Sequence, residues 1–231
     1  MAQLWKVRLP NGNVLTPGDW TASEPLWSTA EIGSGPFTVL RMFSYSAGNT
    51  VPGSVGPRLA LKIDTNLQGA GSLLPENEEL ICYNIGVSIF KHGPAASVDA
   101  FPDADEPMVP LPDMLRLQRD LLLEFNIANV KAYTESPVSY WPAGMGVSQY
   151  NAGGRTRVSG GAPTGEVISY NGSPERYDMR SLGSPLYVQG GESLYINIRP
   201  ANGSVQGLNL ADDSRMVMRG YLDGYRRRPV A

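Results

Sequence analysis

The sequence predicts an all-β fold: an antiparallel β-sandwich or jelly roll with one short helix and long Pro/Gly-rich loops. Three observations carry this. Glycine (26) and proline (19) are abundant among the 231 residues without a collagen-like period, so turns are frequent. Between the turns stand short runs rich in aromatic and β-branched residues. Strands alternating with long helices, the mark of a parallel α/β fold, are missing.

Taken in order, Leu4 to Leu9 alternate as a strand, and Pro10-Asn11-Gly12-Asn13 makes a turn. Residues 17–36 read as an irregular segment pinned by Trp20 and Trp27. Phe37–Phe43 and Leu59–Ile63 read as strands, as does Glu79–Phe90, where Gly86 suggests a bulge. Residues 93–113 form an exposed acidic loop with Asp99, Asp103, Asp105 and Glu106 between prolines. A helix over roughly 112–122 follows, because Pro112 or Asp113 suits a first helical turn and Leu111, Met114, Leu115, Leu121 and Leu122 share one face. The run Leu121-Leu122-Leu123 equally suits the start of a strand through Phe125 and Ile127. Val130–Tyr133 reads as a strand, 140–146 as an aromatic loop, 151–165 as a mobile Gly-rich loop, 166–170 as a short strand and 171–183 as a polar loop. The end of the chain is the clearest part. Pro185–Val188 and Leu194–Ile198 flank Gly190-Gly191 as a closing hairpin, and Met216–Leu222 supplies the last strand. The expected organisation is one domain over 1–231 with insertions, the alternative being two compact barrels divided near 110–125.

Hydrophobic residues make up 42%, enough for a large core, whereas charged residues are only 18%, below the ~25% of an average soluble domain. A low charge fraction fits surface buried against partners, or simply a large core. The net charge of −3 provides no field for nucleic acid, and no specific nucleic-acid recognition is expected. The opening Met1-Ala2-Gln3-Leu4-Trp5-Lys6 lacks the apolar core of a signal peptide, and no run reaches the ~20 apolar residues of a membrane span, so synthesis in the cytoplasm is expected.

Candidate chemistry is sparse, and neither an enzyme nor a cofactor is expected. Cys82 is the one cysteine and His92 the one histidine. Cys82 lies in an apolar run and reads as a small buried hydrophobe. His92 has no G-x-S-x-G elbow to serve in a triad. The Asp99–Glu106 cluster offers oxygens to Ca²⁺, but its prolines hinder wrapping and the EF-hand spacing is not met. Glu76, Glu78 and Glu79 precede a strand, with nothing to set two of them across a cleft. The glycine loops at 151–155 and 160–165 lack the P-loop lysine and the strand-to-helix context. The densest basic stretch, Arg226-Arg227-Arg228, suits a solvated terminus or a subunit contact. Tyr140-Trp141 suits packing or, in a carbohydrate- or receptor-binding sandwich, stacking on sugar rings.

Three segments together carry a resemblance. They are Phe43–Val51 followed by Asp64-Thr65-Asn66-Leu67; Gly71-Ser72-Leu73-Leu74-Pro75-Glu76-Asn77-Glu78-Glu79-Leu80; and Tyr140-Trp141-Pro142-Ala143-Gly144-Met145-Gly146 with the closing Pro185–Leu222 segment. The combination resembles the jelly-roll major capsid proteins of tailless icosahedral bacterial viruses, of the upright single or double β-barrel type. The resemblance implies a structural virion protein that self-assembles without catalytic residues. The implied partners are copies of itself and other virion proteins, often around an internal membrane. The acidic residues Asp103, Asp105 and Glu106 and the basic Arg226, Arg227 and Arg228 are then expected to meet across a subunit contact.

Overall fold

A computed structural model describes residues 7–8, 14–15, 25–33, 35–53, 58–69, 71–92, 111–127, 134–143, 148–151, 167–170, 179–203 and 215–227. The strands are β1 (Val7–Arg8), β2 (Val14–Leu15), β3 (Leu26–Ile32), β4 (Leu40–Met42), β5 (Glu79–His92), β6 (Leu121–Ile127), β7 (Thr134–Pro137), β8 (Ser148–Asn151), β9 (Val167–Tyr170), β10 (Arg180–Val188), β11 (Leu194–Pro200) and β12 (Arg215–Arg227). One helix, α1 (Leu111–Asp120), runs straight into β6, and a 3-10 turn occupies Val138–Tyr140.

Two four-stranded antiparallel sheets form a sandwich, ordered β10-β5-β12-β3 and β4-β11-β6-β7. Among these eight strands the first pairs with the last, the second with the seventh, the third with the sixth and the fourth with the fifth. That is the strand order of a jelly roll, one long hairpin folded over into two sheets. Small two-stranded sheets are added before it (β1-β2) and between its fifth and sixth strands (β8-β9). Both sheets mix strands from before and after residues 110–125.

The period-2 pattern explains the core. In β11, Leu194, Ile196 and Ile198 are buried while Tyr195, Asn197 and Arg199 lie on the other face. Leu80, Cys82, Ile85, Val87 and Ile89 of β5 meet Met216, Met218 and Leu222 of β12 in the same apolar cluster, which Phe125 and Leu123 of β6 complete from the second sheet.

The structure alters several expectations. Residues 26–32 are a strand rather than an irregular segment; the interleaved Ser28, Thr29 and Glu31 obscure it, yet all are buried. Phe37–Phe43 contributes only three strand residues. Leu59–Ile63 is not a strand, and its alternating aliphatics face outward. Gly86 is no bulge. It stands where Pro142 and Ala143 approach β5, with Val87 N donating to Trp141 O at 2.8 Å. The bulge lies at Tyr83, where the register shifts opposite Asp223 and Gly224. A Cβ on Gly224 would sit 1.8 Å from the Ile81 carbonyl oxygen, so only glycine fits there. The Gly190-Gly191 turn does not close a hairpin either: β10 belongs to one sheet and β11 to the other, so the turn arches between the layers. Gly191 takes φ +80°, and Glu192 N donates to Gln189 O at 3.1 Å. Residues 93–110, 128–133, 152–166 and 171–178 lie outside the described residues. With them go the acidic loop, the strand expected at 130–133 and most of the two polar loops.

Candidate functional site

The connection from β4 to β5 builds the most distinctive surface of the described residues. It runs along β3, the edge strand of the first sheet. Glu31 N donates to Pro52 O at 2.9 Å, Asn66 N to Trp27 O at 3.3 Å, and Trp27 N to Asn66 Oδ1 at 2.9 Å. The edge is thereby closed to pairing with a foreign strand. Tyr45 is buried beneath this segment, its hydroxyl donating to Thr29 O at 2.7 Å. Burial pushes its phenol up to about 12, keeping the O–H protonated.

One arginine fixes the outer part of the segment. Arg58 forks onto Asp64, Nη1 to Oδ2 and Nη2 to Oδ1, both at 2.8 Å, and its Nε donates to Glu31 Oε1 at 2.6 Å. Asp64 also accepts from Leu61 N at 2.8 Å. Burial alone would push the Asp64 carboxyl up. The hydrogen bond from Arg58, the Leu61 N–H and the positive charges of Arg58 and Arg219 outweigh it, so the carboxyl sits below its ordinary value. With Asp64 and Glu31 drawn inward onto Arg58, the turn points Leu59, Leu61 and Ile63 at solvent, 66%, 48% and 63% exposed, with Lys62 beside them. Trp27 Nε1 donates to Ile63 O at 3.1 Å and anchors the base of the turn.

A second open spot lies on the β10 side. The strap Ser72-Leu73-Leu74 hydrogen-bonds along the arch between the sheets: Leu194 N donates to Ser72 O, Leu74 N to Glu192 O and Gly191 N to Leu74 O. Leu73 is 46% exposed there. Beside it Glu76, Asn77, Glu79 and Arg227 line an open cleft of about 270 Å³.

The residues singled out from sequence fall differently. Arg226 is 1% exposed, its Nε donating to Glu78 Oε2 at 2.8 Å, so it serves an internal ion pair and is not a surface contact. It faces inward because it continues the even-numbered core-facing row of β12 (Met216, Met218, Leu222), opposite the core residue Leu80; the bulge at Tyr83 shifts the alternation of β5 instead, from Ile85, Val87 and Ile89 to Cys82 and Leu80. Arg227 is exposed and donates to Glu79 at 3.2 Å. Tyr187 donates to the same carboxylate at 2.8 Å; burial and that neighbour hold its phenol at about 12. Arg228, Asp103, Asp105 and Glu106 lie outside the described residues. Trp141 is only 3% exposed and packs into the main core, its indole N–H bonded to Ser136, so its ring offers no face to a sugar. Tyr140 is exposed, but Arg180 lies 4.3 Å over its ring and also donates to its hydroxyl. Cys82 is buried, and desolvation, aided by Asp223, pushes its thiol up.

Among the described residues no three or more His, Cys, Asp or Glu side chains gather as a metal site, and no helix is long and apolar enough to cross a membrane. The chain matches no protein-family model, no curated protein and no solved structure.

Proposed function

We propose that this chain is a non-catalytic building block of a self-assembling protein shell, the capsid of a tailless icosahedral bacterial virus. The supporting observation is the jelly-roll strand order around a core filled by side chains, combined with large aliphatic residues held outward on rigid connections. Jelly rolls serve as capsid subunits and as lectin-type binding modules, so the fold by itself does not choose. The surface favours assembly. Three exposed aliphatics on one turn suit a protein neighbour. The aromatic pair that a lectin reading needs is half buried, and its open half is covered by Arg180.

Size-exclusion chromatography of the purified chain, with negative-stain microscopy of each peak, tests this. Rings, sheets or shells are expected. A strict monomer that binds glycans, with binding lost in Tyr140→Ala, would replace the reading with the carbohydrate- or receptor-binding one.

A further inference from the structure

Among the described residues, Val39 and Tyr140 are open singly, and the spots at Leu59–Ile63 and at Leu73 differ in charge and in place. The turn Leu59-Ala60-Leu61-Lys62-Ile63 stands against β3 and carries one exposed cation. The Leu73 spot carries the exposed carboxylate of Glu76, with Glu192 alongside, while the Arg227 that lines the same cleft is bound to Glu79. β3 and β10 are opposite edges of one sheet, three strand spacings apart, or roughly 14 Å. We propose that the Leu59-Leu61-Lys62-Ile63 turn of one copy docks onto the Leu73–Glu76 corner of the next copy, head to tail. This rests on the assembly reading above and names the surface through which it works.

Three features carry the proposal. First, the partners are complementary: aliphatic meets aliphatic, and Lys62 meets Glu76 at the rim. Glu31 and Asp64, which would otherwise repel Glu76, are drawn onto Arg58 and away from the contact. Second, the turn is already fixed. Arg58, the Leu61 N–H bond to Asp64 and the Trp27 bond to Ile63 hold it, so little conformational entropy is lost on docking. Third, size and position suit a weak, repeated contact. The exposed aliphatic surface of the turn is on the order of 300 Å², the ordinary size of the largest apolar patch on a monomer, which is often functional. That is under half of the roughly 800 Å² per partner in a stable pairwise interface. A contact of this size holds when each subunit makes several at once. A contact between two different patches is heterologous, so it propagates from copy to copy instead of stopping at a two-fold dimer.

Charge exchange between the two patches provides the test. Lys62→Glu and Glu76→Lys each set like charges against one another, and each variant alone is expected to associate at least tenfold more weakly than the parent. An equimolar mixture of the two restores every contact as an alternating pair, as does the double variant, and both are expected to assemble. Leu61→Ser/Ile63→Ser should weaken association as strongly without lowering Tm, since both side chains are solvent-exposed. Single variants that assemble like the parent would overturn the proposal while leaving the capsid reading intact. So would a failed rescue by the folded double variant. Binding of the parent to phosphatidylserine-containing vesicles, lost in Leu61→Ser/Ile63→Ser with assembly unchanged, would assign the turn to lipid and overturn it too. A parent chain that never assembles would remove the capsid reading first and this proposal with it.

Discussion

Arg226 donates from Nε to Glu78 Oε2 at 2.8 Å, with both side chains sealed within the end of the sandwich. Removing one partner leaves the other charge buried, which costs about 3–5 kcal/mol. Arg226→Met and Glu78→Leu should each lose stability on that scale in urea titrations, and the double variant should recover most of it. If the single variants lie within about 0.5 kcal/mol of the parent, as surface changes do, the pair is not sealed as described.

The Arg58 clamp gives an acid-dependent term. The Asp64 carboxyl is depressed in the folded state, so the stability it contributes is complete above its unfolded value of about 3.9 and is lost as pH falls through the lower folded value. Asp64→Asn should destabilise the protein at pH 7 and flatten the acid limb of stability against pH below about 4. Arg58→Ala should cost about 1.5–3 kcal/mol per charge-assisted bond lost, less solvent screening, in thermal or urea unfolding.

Glycines separate close approach from mere flexibility. Gly224→Ala drives a Cβ into the Ile81 carbonyl, a backbone atom that cannot swing aside. A loss above about 4 kcal/mol, or failure to fold, is expected. Gly183→Ala meets nothing within 4 Å and should stay within about 1 kcal/mol of the parent. Equal effects at the two sites would contradict the bulge geometry.

Cys82 should behave as a packing residue. Desolvation, with Asp223 adding to it, raises its thiol, so little nucleophilic thiolate forms in the folded protein. Its rate of labelling by a disulfide reagent should follow unfolding, rising with urea in step with loss of structure. Fast labelling in native buffer would place the thiol at the surface.

How much of this was legible in the chain depends on where each side chain's partner comes from. β11 and the first part of β12 read clearly because apolar residues recur at every second position along one face of each strand. β3 was hidden. Its outward residues Thr29 and Glu31 are polar, yet they are buried by a connection that reaches them from residues 45–65, and no local pattern encodes such a cover. Leu59, Leu61 and Ile63 show the reverse. Their alternation reads as a strand, but Arg58 and Asp64 close on each other across the turn and leave the aliphatics outside. Arg226 reads as part of a basic tail because the strand expected from sequence stops at Leu222, whereas β12 runs on to Arg227 and its even-numbered inward row of Met216, Met218 and Leu222 leads to Arg226. The jelly-roll order is likewise a property of pairing between distant strands, as is the arch at Gly190-Gly191.

Self-assembly is measured by analytical ultracentrifugation of the purified chain across a concentration series, with micrographs taken from the same samples. A concentration-dependent shift from monomer to large, regular assemblies, suppressed by Leu61→Ser/Ile63→Ser, is the expected result. A single monomeric species at every concentration would contradict it.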